Sequence, residues 1–154
     1  SSMRSLVLTG PNISDDAVPV IVELATHCPG LKKLDLGYTS IGDRGCKELA
    51  LLLEHPESKL KCLRLNSTYI GAKGVLVLGN ALVNNCTLKC LELDDTGRTT
   101  AGGLASFQRV VCDTSSIDAT YFSNHTLTRV WRYTWMRDLM SLSEDLLFAL
   151  KENG

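Results

Sequence analysis

A repeating α/β solenoid is the fold class that this 154-residue sequence predicts, and three observations predict it. Four segments align in one register: MRSLVLTGPNISDDAV from Met3, LKKLDLGYTSIGDRGC from Leu31, LKCLRLNSTYIGAKGV from Leu60 and LKCLELDDTGRTTAGG from Leu88. Each opens with apolar-x-x-Leu-x-Leu, a period of two that marks a short strand with one buried face. Each then shifts to helical spacing. A unit of this kind cannot cover both of its apolar faces alone, whereas stacked neighbours cover one another.

The strand positions are Met3/Leu6/Leu8, Leu31/Leu34/Leu36, Leu60/Leu63/Leu65 and Leu88/Leu91/Leu93. At position eleven of the unit stand Ile13, Ile41 and Ile70, and at position fifteen the small residues Ala17, Gly45, Gly74 and Gly102. Small residues there let a helix start close against the strand layer. The helix stripes are Val18, Ile21, Val22 and Ala25, then Cys46, Leu49, Leu52 and Leu53, then Val75, Leu78, Ala81 and Leu82. Asp15 or Asp16, and Asp43, put negative charge at helix N-termini, where the peptide dipoles favour it.

The pattern resembles the leucine-rich repeat family, and a 28–29-residue period with a full helix resembles its ribonuclease-inhibitor-like class. The resemblance spans residues 3–112 and, less closely, 125–154. It implies a right-handed horseshoe segment with parallel strands on the concave face and helices on the convex face. Two departures stand out. The family's usual Asn at position nine is replaced by Pro11, Thr39, Thr68 and Thr96, where a threonine hydroxyl can still bond locally. Arg98 occupies the fourth unit's Ile position.

One domain, 1–154, is expected, with about five units: 3–30, 31–59, 60–87, an irregular 88–126 and a terminal 127–154. In the irregular unit Leu104, Phe107, Val110 and Val111 form one helix face followed by a loop. A rival reading places strand residues at Phe107, Val110 and Cys112, with Ile117, in two short units. The terminal unit carries Leu127 and Val130 but Arg132 at the third apolar position. Its SLSE segment, 141–144, resembles a capping box before a stripe of Leu142, Leu146, Leu147 and Leu150. A degenerate last repeat suits an end that meets water. Nothing comparable precedes Met3, so the sequence is expected to be a piece of a longer chain.

With the register set, positions three, five and seven point away from the core. Position three forms the column Ser5, Lys33, Cys62, Cys90, Arg129; position five forms Val7, Asp35, Arg64, Glu92, Trp131; position seven forms Thr9, Gly37, Asn66, Asp94, Tyr133. The middle column is either a solvated ladder of ion pairs, worth little in stability, or a binding surface anchored by Trp131 and Tyr133. The family resemblance favours a partner on this face. The partner-binding candidates are therefore Lys33, Asp35, Arg64, Asn66, Glu92, Asp94, Arg129, Trp131 and Tyr133.

Cys86 and Cys90, four apart, raise the question of zinc, but the register puts one at a corner and the other on a strand. Cys62 and Cys90 belong side by side, with no His or carboxylate in their own column, so no metal is expected. Cys28, Cys46 and Cys112 are scattered, and cysteine at helix positions acts as a small apolar residue. Scattered thiols point to a reducing interior and a cytoplasmic location. Four N-x-S/T sequons, at Asn12, Asn66, Asn85 and Asn124, keep a secreted location open. Asn85 and Asn124 share one repeat position, where turn chemistry accounts for both.

A net charge of −1 gives no footprint for nucleic acid or an anionic membrane, and no apolar run reaches the length of a membrane span. His27, His55 and His125 lie at three separate corners with no nucleophile–base set around them. The resulting expectation is a monomeric, non-enzymatic protein-interaction scaffold that binds another protein, with no cofactor and no small-molecule substrate. The alternatives are a GTPase-activating regulator resembling Ran GTPase-activating protein, or a substrate-recognition segment of a ubiquitin-ligase or immune-sensor chain.

Overall fold

The computed structural model describes residues 3–93, Phe107, Asn124, Thr126, Leu127 and residues 129–131, with the side chains of Arg129 and Trp131 outside the description. The first leucine of each Leu-x-Leu pair lies on a three-residue strand, β1 (Ser5–Val7), β3 (Lys33–Asp35), β5 (Cys62–Arg64) and β6 (Cys90–Glu92), and the terminal Val130 on a fifth, β7 (Arg129–Trp131). They form one parallel sheet in the order β1-β3-β5-β6-β7. The inward leucines Leu34, Leu63 and Leu91 are fully buried, as are Leu36 and Leu65. Each contributes about 1.5–3 kcal/mol by leaving water.

Helices α1 (Val18–Thr26), α2 (Asp43–Glu54) and α3 (Ala72–Leu82) back this sheet. Their buried faces are the stripes read from the sequence, Val18/Ile21/Ala25, Cys46/Leu49/Leu52/Leu53 and Val75/Leu78/Ala81/Leu82. Pro19 sits in the first turn of α1, where its missing N–H has no intrahelical partner to lose. A leucine-rich repeat solenoid results, with strands as one layer and helices as the other. Phe107 is helical and buried in the same core, in agreement at that residue with a helix over the rival strand. Thr96, Arg98, Gly102, the 113–123 segment and the terminal helix lie outside the described residues.

The strand-to-helix connection holds more order than a plain turn. Residues Gly10–Ser14 (β2) pair in parallel with Thr39–Ser40 (β4) as a second, two-stranded sheet. The Ser40 hydroxyl donates to the Pro11 carbonyl at 2.6 Å. At position eight the backbone enters the left-handed region in all three units, at Gly10 (φ 130°), Tyr38 (58°) and Ser67 (52°). Only the first is glycine, so the bend belongs to the repeat rather than to a residue type. The threonines at position nine turn inward: Thr39 and Thr68 are buried, and donate to the carbonyls of Leu36 (2.7 Å) and Leu65 (2.8 Å). The local hydroxyl bond expected there forms in the second and third units.

Two polar devices join one unit to the next. Asp15 in the first unit accepts hydrogen bonds from the backbone N–H groups of Gly42 (2.7 Å) and Gly45 (2.9 Å), the N-cap and third residue of α2. Asp43 does the same for Gly71 (2.7 Å) and Gly74 (2.9 Å) at the start of α3. The aspartates therefore serve the next unit's helix, where the sequence places them at their own. The glycines are small for the same reason: a Cβ on Gly45 would stand 2.7 Å from Asp15 Oδ1, and one on Gly74 2.6 Å from Asp43 Oδ1.

Bonds run backward at the opposite corner. The Asn85 amide donates to Leu53 O (2.7 Å) at the end of α2, while its Oδ1 accepts from Thr87 N (3.0 Å) and Leu88 N (2.7 Å). Asn124 repeats the arrangement, donating to Leu82 O and Asn85 O and accepting from Thr126 N and Leu127 N. Both side chains are buried, so turn chemistry accounts for these two sequons. Among the described residues no helix is long and apolar enough to cross a membrane.

Candidate functional site

The outward columns are built by the strand register. Backbone pairing aligns Ser5, Lys33, Cys62, Cys90 and Arg129 in one row, and Val7, Asp35, Arg64, Glu92 and Trp131 in the next. Adjacent members of a row stand one strand apart, about 4.8 Å. Asn66 of the third row lies over Gly37: a Cβ on that glycine would meet Asn66 Oδ1 at 2.7 Å. Asp94 and Tyr133 lie outside the described residues, as do the side chains of Arg129 and Trp131.

Charged residues of the first two rows form one continuous network. Lys33 Nζ lies 3.5 Å from Asp35 Oδ2, and Arg64 Nη1 lies 3.3 Å from the same oxygen. The other Asp35 oxygen accepts from Gly37 N at 3.3 Å. Arg64 Nε stands 2.8 Å from Glu92 Oε2, an ion pair whose N–H is directed off the line to the oxygen. Desolvation acts to lower the Arg64 pKa, but the hydrogen bond to Asp35 and the close contact with Glu92, with the charges of both, outweigh it and raise it above the usual value. Asp35 keeps only 9% of its surface; its place is beneath Arg64, which it holds, rather than on the open face. The network carries two positive and two negative side chains on a rigid sheet. It contributes little to stability, since such pairs are worth about 0–1 kcal/mol, but it fixes a charge pattern in space.

The cysteines sort by environment. Cys46 is fully buried in α2, and desolvation, with the charges of Asp43 and Asp15 behind it, pushes its thiol far up and keeps it protonated. It acts as the small apolar residue expected. Cys62 and Cys90 are paired across β5 and β6 and are not joined by a disulfide. Their own column holds no carboxylate, as read from the sequence, but the neighbouring row brings one close. Glu92, one row over, turns toward them: the Cys90 thiol donates a long hydrogen bond to Glu92 Oε1 at 3.9 Å. The ligand atoms of Cys62, Cys90 and Glu92 all lie within 4.8 Å of one another. A strand advances about 6.6 Å over two residues, and the length of a glutamate side chain spans that gap. The signal was present in the sequence as C-x-E beside a second cysteine at the same repeat position.

Parallel strands from repeating Leu-x-x-Leu-x-Leu units, the first three followed by packed helices, define a leucine-rich repeat fold. The family model described as "Leucine Rich repeat" matches residues 27–50, from the end of the first unit through most of the second. The chain is 34% identical over 90 residues to the protein phosphatase 1 regulatory subunit 37 homolog of Caenorhabditis elegans, covering 58% of this chain and 10% of that protein. It is 28% identical over 94 residues to RAN GTPase-activating protein 2 of Arabidopsis thaliana, covering 61% of this chain and 17% of that protein. The solved structure of leiomodin-1 actin-binding site 2 superposes with a TM-score of 0.80 at 18% identity, over 98% of this chain and 82% of that one. At such identity the likeness is one of fold. The chain spans only a small part of the two sequence relatives.

Proposed function

We propose that this segment is a non-enzymatic protein–protein interaction module whose concave strand face binds a partner protein. The observation that carries the reading is the Lys33–Asp35–Arg64–Glu92 network, which holds Arg64 rigidly, with its side chain 38% exposed, in the middle of the sheet. Arginine fixed by flanking carboxylates loses little entropy on contact, which is what an interface anchor requires. Alternating charge fits a mixed, complementary protein surface better than a uniformly charged polymer. Asn66, Asp94, Arg129, Trp131 and Tyr133 extend this face in the proposal, with Trp131 and Tyr133 as aromatic anchors.

The relatives support a regulatory role toward the partner, since one is named as a phosphatase regulatory subunit and another as a GTPase activator. The second reading, activation of a small GTPase, rests on the latter similarity. A cytoplasmic, monomeric state completes the proposal. The test is capture of a partner from extract, then affinity with purified components. Arg64→Glu and Trp131→Ala should each weaken binding at least tenfold, while Lys47→Glu, exposed on α2, should not. Equal losses from all three would remove the concave face from consideration. Faster GTP hydrolysis by a small GTPase in the presence of the chain would move the second reading ahead of the first.

A further inference from the structure

We infer that Cys62, Cys90 and Glu92 form a three-ligand site for a thiophilic divalent cation, Zn²⁺ in the first instance, on the concave face. Parallel register places the two cysteines directly opposite each other on β5 and β6, so the main chain itself sets the two sulfur positions. The third ligand atom is Glu92 Oε1, 3.9 Å from Cys90 Sγ. With Zn–S bonds near 2.3 Å and Zn–O near 2.1 Å, tetrahedral coordination needs ligand atoms about 3.5–3.8 Å apart. The three atoms lie within 4.8 Å of one another, so small side-chain rotations bring them to that spacing without moving a strand.

The surroundings fit a cation ligated by anions. Arg64 holds the other oxygen of Glu92 at 2.8 Å, orienting the carboxylate as outer-shell partners orient metal ligands. As the ion binds, each thiol releases its proton to solvent, and the site then carries two thiolates and a carboxylate around a dication. The guanidinium balances the remaining negative charge. Two sulfur donors select against Mg²⁺ and Ca²⁺, which take oxygen. All three side chains are partly exposed, so the ion has an entry path. The fourth coordination position faces solvent, where water or a donor from a bound partner completes the tetrahedron.

Cobalt(II) serves as the spectroscopic probe, added to the reduced, metal-stripped chain, with Zn²⁺ as competitor. One equivalent of Co²⁺ should give sulfur-to-cobalt charge-transfer absorption and tetrahedral d–d bands, both lost when Zn²⁺ is added. Cys62→Ser and Cys90→Ser should each lose at least half of the charge-transfer band. Glu92→Gln, with both sulfurs intact, should weaken Zn²⁺ binding about tenfold or more, and Arg64→Gln by about 10–100-fold as an outer-shell change. Cys86→Ser, an exposed thiol at another corner, should change nothing. A melting curve on each variant verifies the fold. Absence of charge transfer in the reduced chain overturns the site, as does a band that survives both Cys62→Ser and Cys90→Ser. If the cysteine variants do not fold, unchanged Zn²⁺ affinity in Glu92→Gln overturns it alone.

Discussion

Replacing Asp43 with alanine tests the forward capping in isolation. The substitution removes one carboxylate oxygen and leaves two part-buried N–H groups, of Gly71 and Gly74, without an acceptor. No side chain of α3's own N-cap residue can substitute, because that residue is Gly71. Loss of an N-cap acceptor costs about 0.5–2 kcal/mol, and a part-buried donor left unmade adds about 1 kcal/mol. Removing negative charge from the helix start adds about 0.5 kcal/mol more. The expected total is about 2–3.5 kcal/mol, a fall in melting temperature of about 5–10 °C for a chain of this size. Asp43→Asn keeps an oxygen acceptor and should lose about half as much. Thermal unfolding by circular dichroism gives the total, and amide hydrogen exchange gives the location. Gly71 and Gly74 should exchange faster, with Gly42 and Gly45, served by Asp15, little changed. A melting temperature within a degree of the parent, or unaltered exchange at Gly71 and Gly74, would refute the reasoning by showing that water replaces the carboxylate at no cost.

Three other substitutions probe separate features. Gly45→Ala should destabilise by about 1–3 kcal/mol through overpacking, although alanine in a helix ordinarily gains about 1 kcal/mol over glycine; its Cβ would stand 2.8 Å from Ile41 Cγ2 as well as 2.7 Å from Asp15. Urea midpoints read the sign. Asn85→Ala should cost about 2–4 kcal/mol, since it strands the Leu53 carbonyl and two backbone N–H groups in a buried corner; parallel denaturant curves with the parent give the value. The buried Cys46 thiol makes stability fall with alkali. Its folded pKa is raised, so the folded chain keeps a proton that the unfolded chain releases above about pH 8.5. Its contribution is complete below that pH and declines by up to about 1.4 kcal/mol per pH unit above it. Cys46→Ala should flatten the slope between pH 9 and 10 relative to the parent.

What was legible in the sequence was whatever repeats within a unit. The Leu-x-Leu spacing set strand registers well enough to place Cys62 beside Cys90 and Asp35 beside Arg64, because one period governs both side-chain direction and stacking. The helix stripes were legible on the same ground. Contacts between units were not. Asp43 beside the start of α2 satisfies a familiar rule about helix dipoles, and nothing local says that its partner lies 28 residues on. A Gly-Asp-x-Gly run one period after Ser-Asp-Asp-Ala was the available signal. The small sheet of β2 and β4 was hidden because GPNIS carries a proline and polar residues that read as turn, while its pairing partner sits in the next unit. Asp35 reads as exposed from alternation alone; its burial comes from Lys33 and Arg64 closing over it. Glu92 was assigned to its own row because row logic tracks the backbone and ignores side-chain length.

The exchange of caps gives the chain a direction. A carboxylate is passed forward from one unit to the start of the next helix, and an amide is passed back to the end of the previous one. The second unit, cut out and placed elsewhere, carries an acceptor for its successor but neither of the caps its own helix needs, which come from Asp15 in the first unit and Asn85 in the third. Recombination between such proteins should therefore succeed or fail at the seams. A graft that pairs a forward Asp with a Gly-x-x-Gly recipient preserves the join, and one that pairs it with a side chain at position fifteen puts two atoms in one place. The grammar of the repeat is written across its boundaries, and the natural cassette is three units, a helix with a neighbour on either side, rather than one.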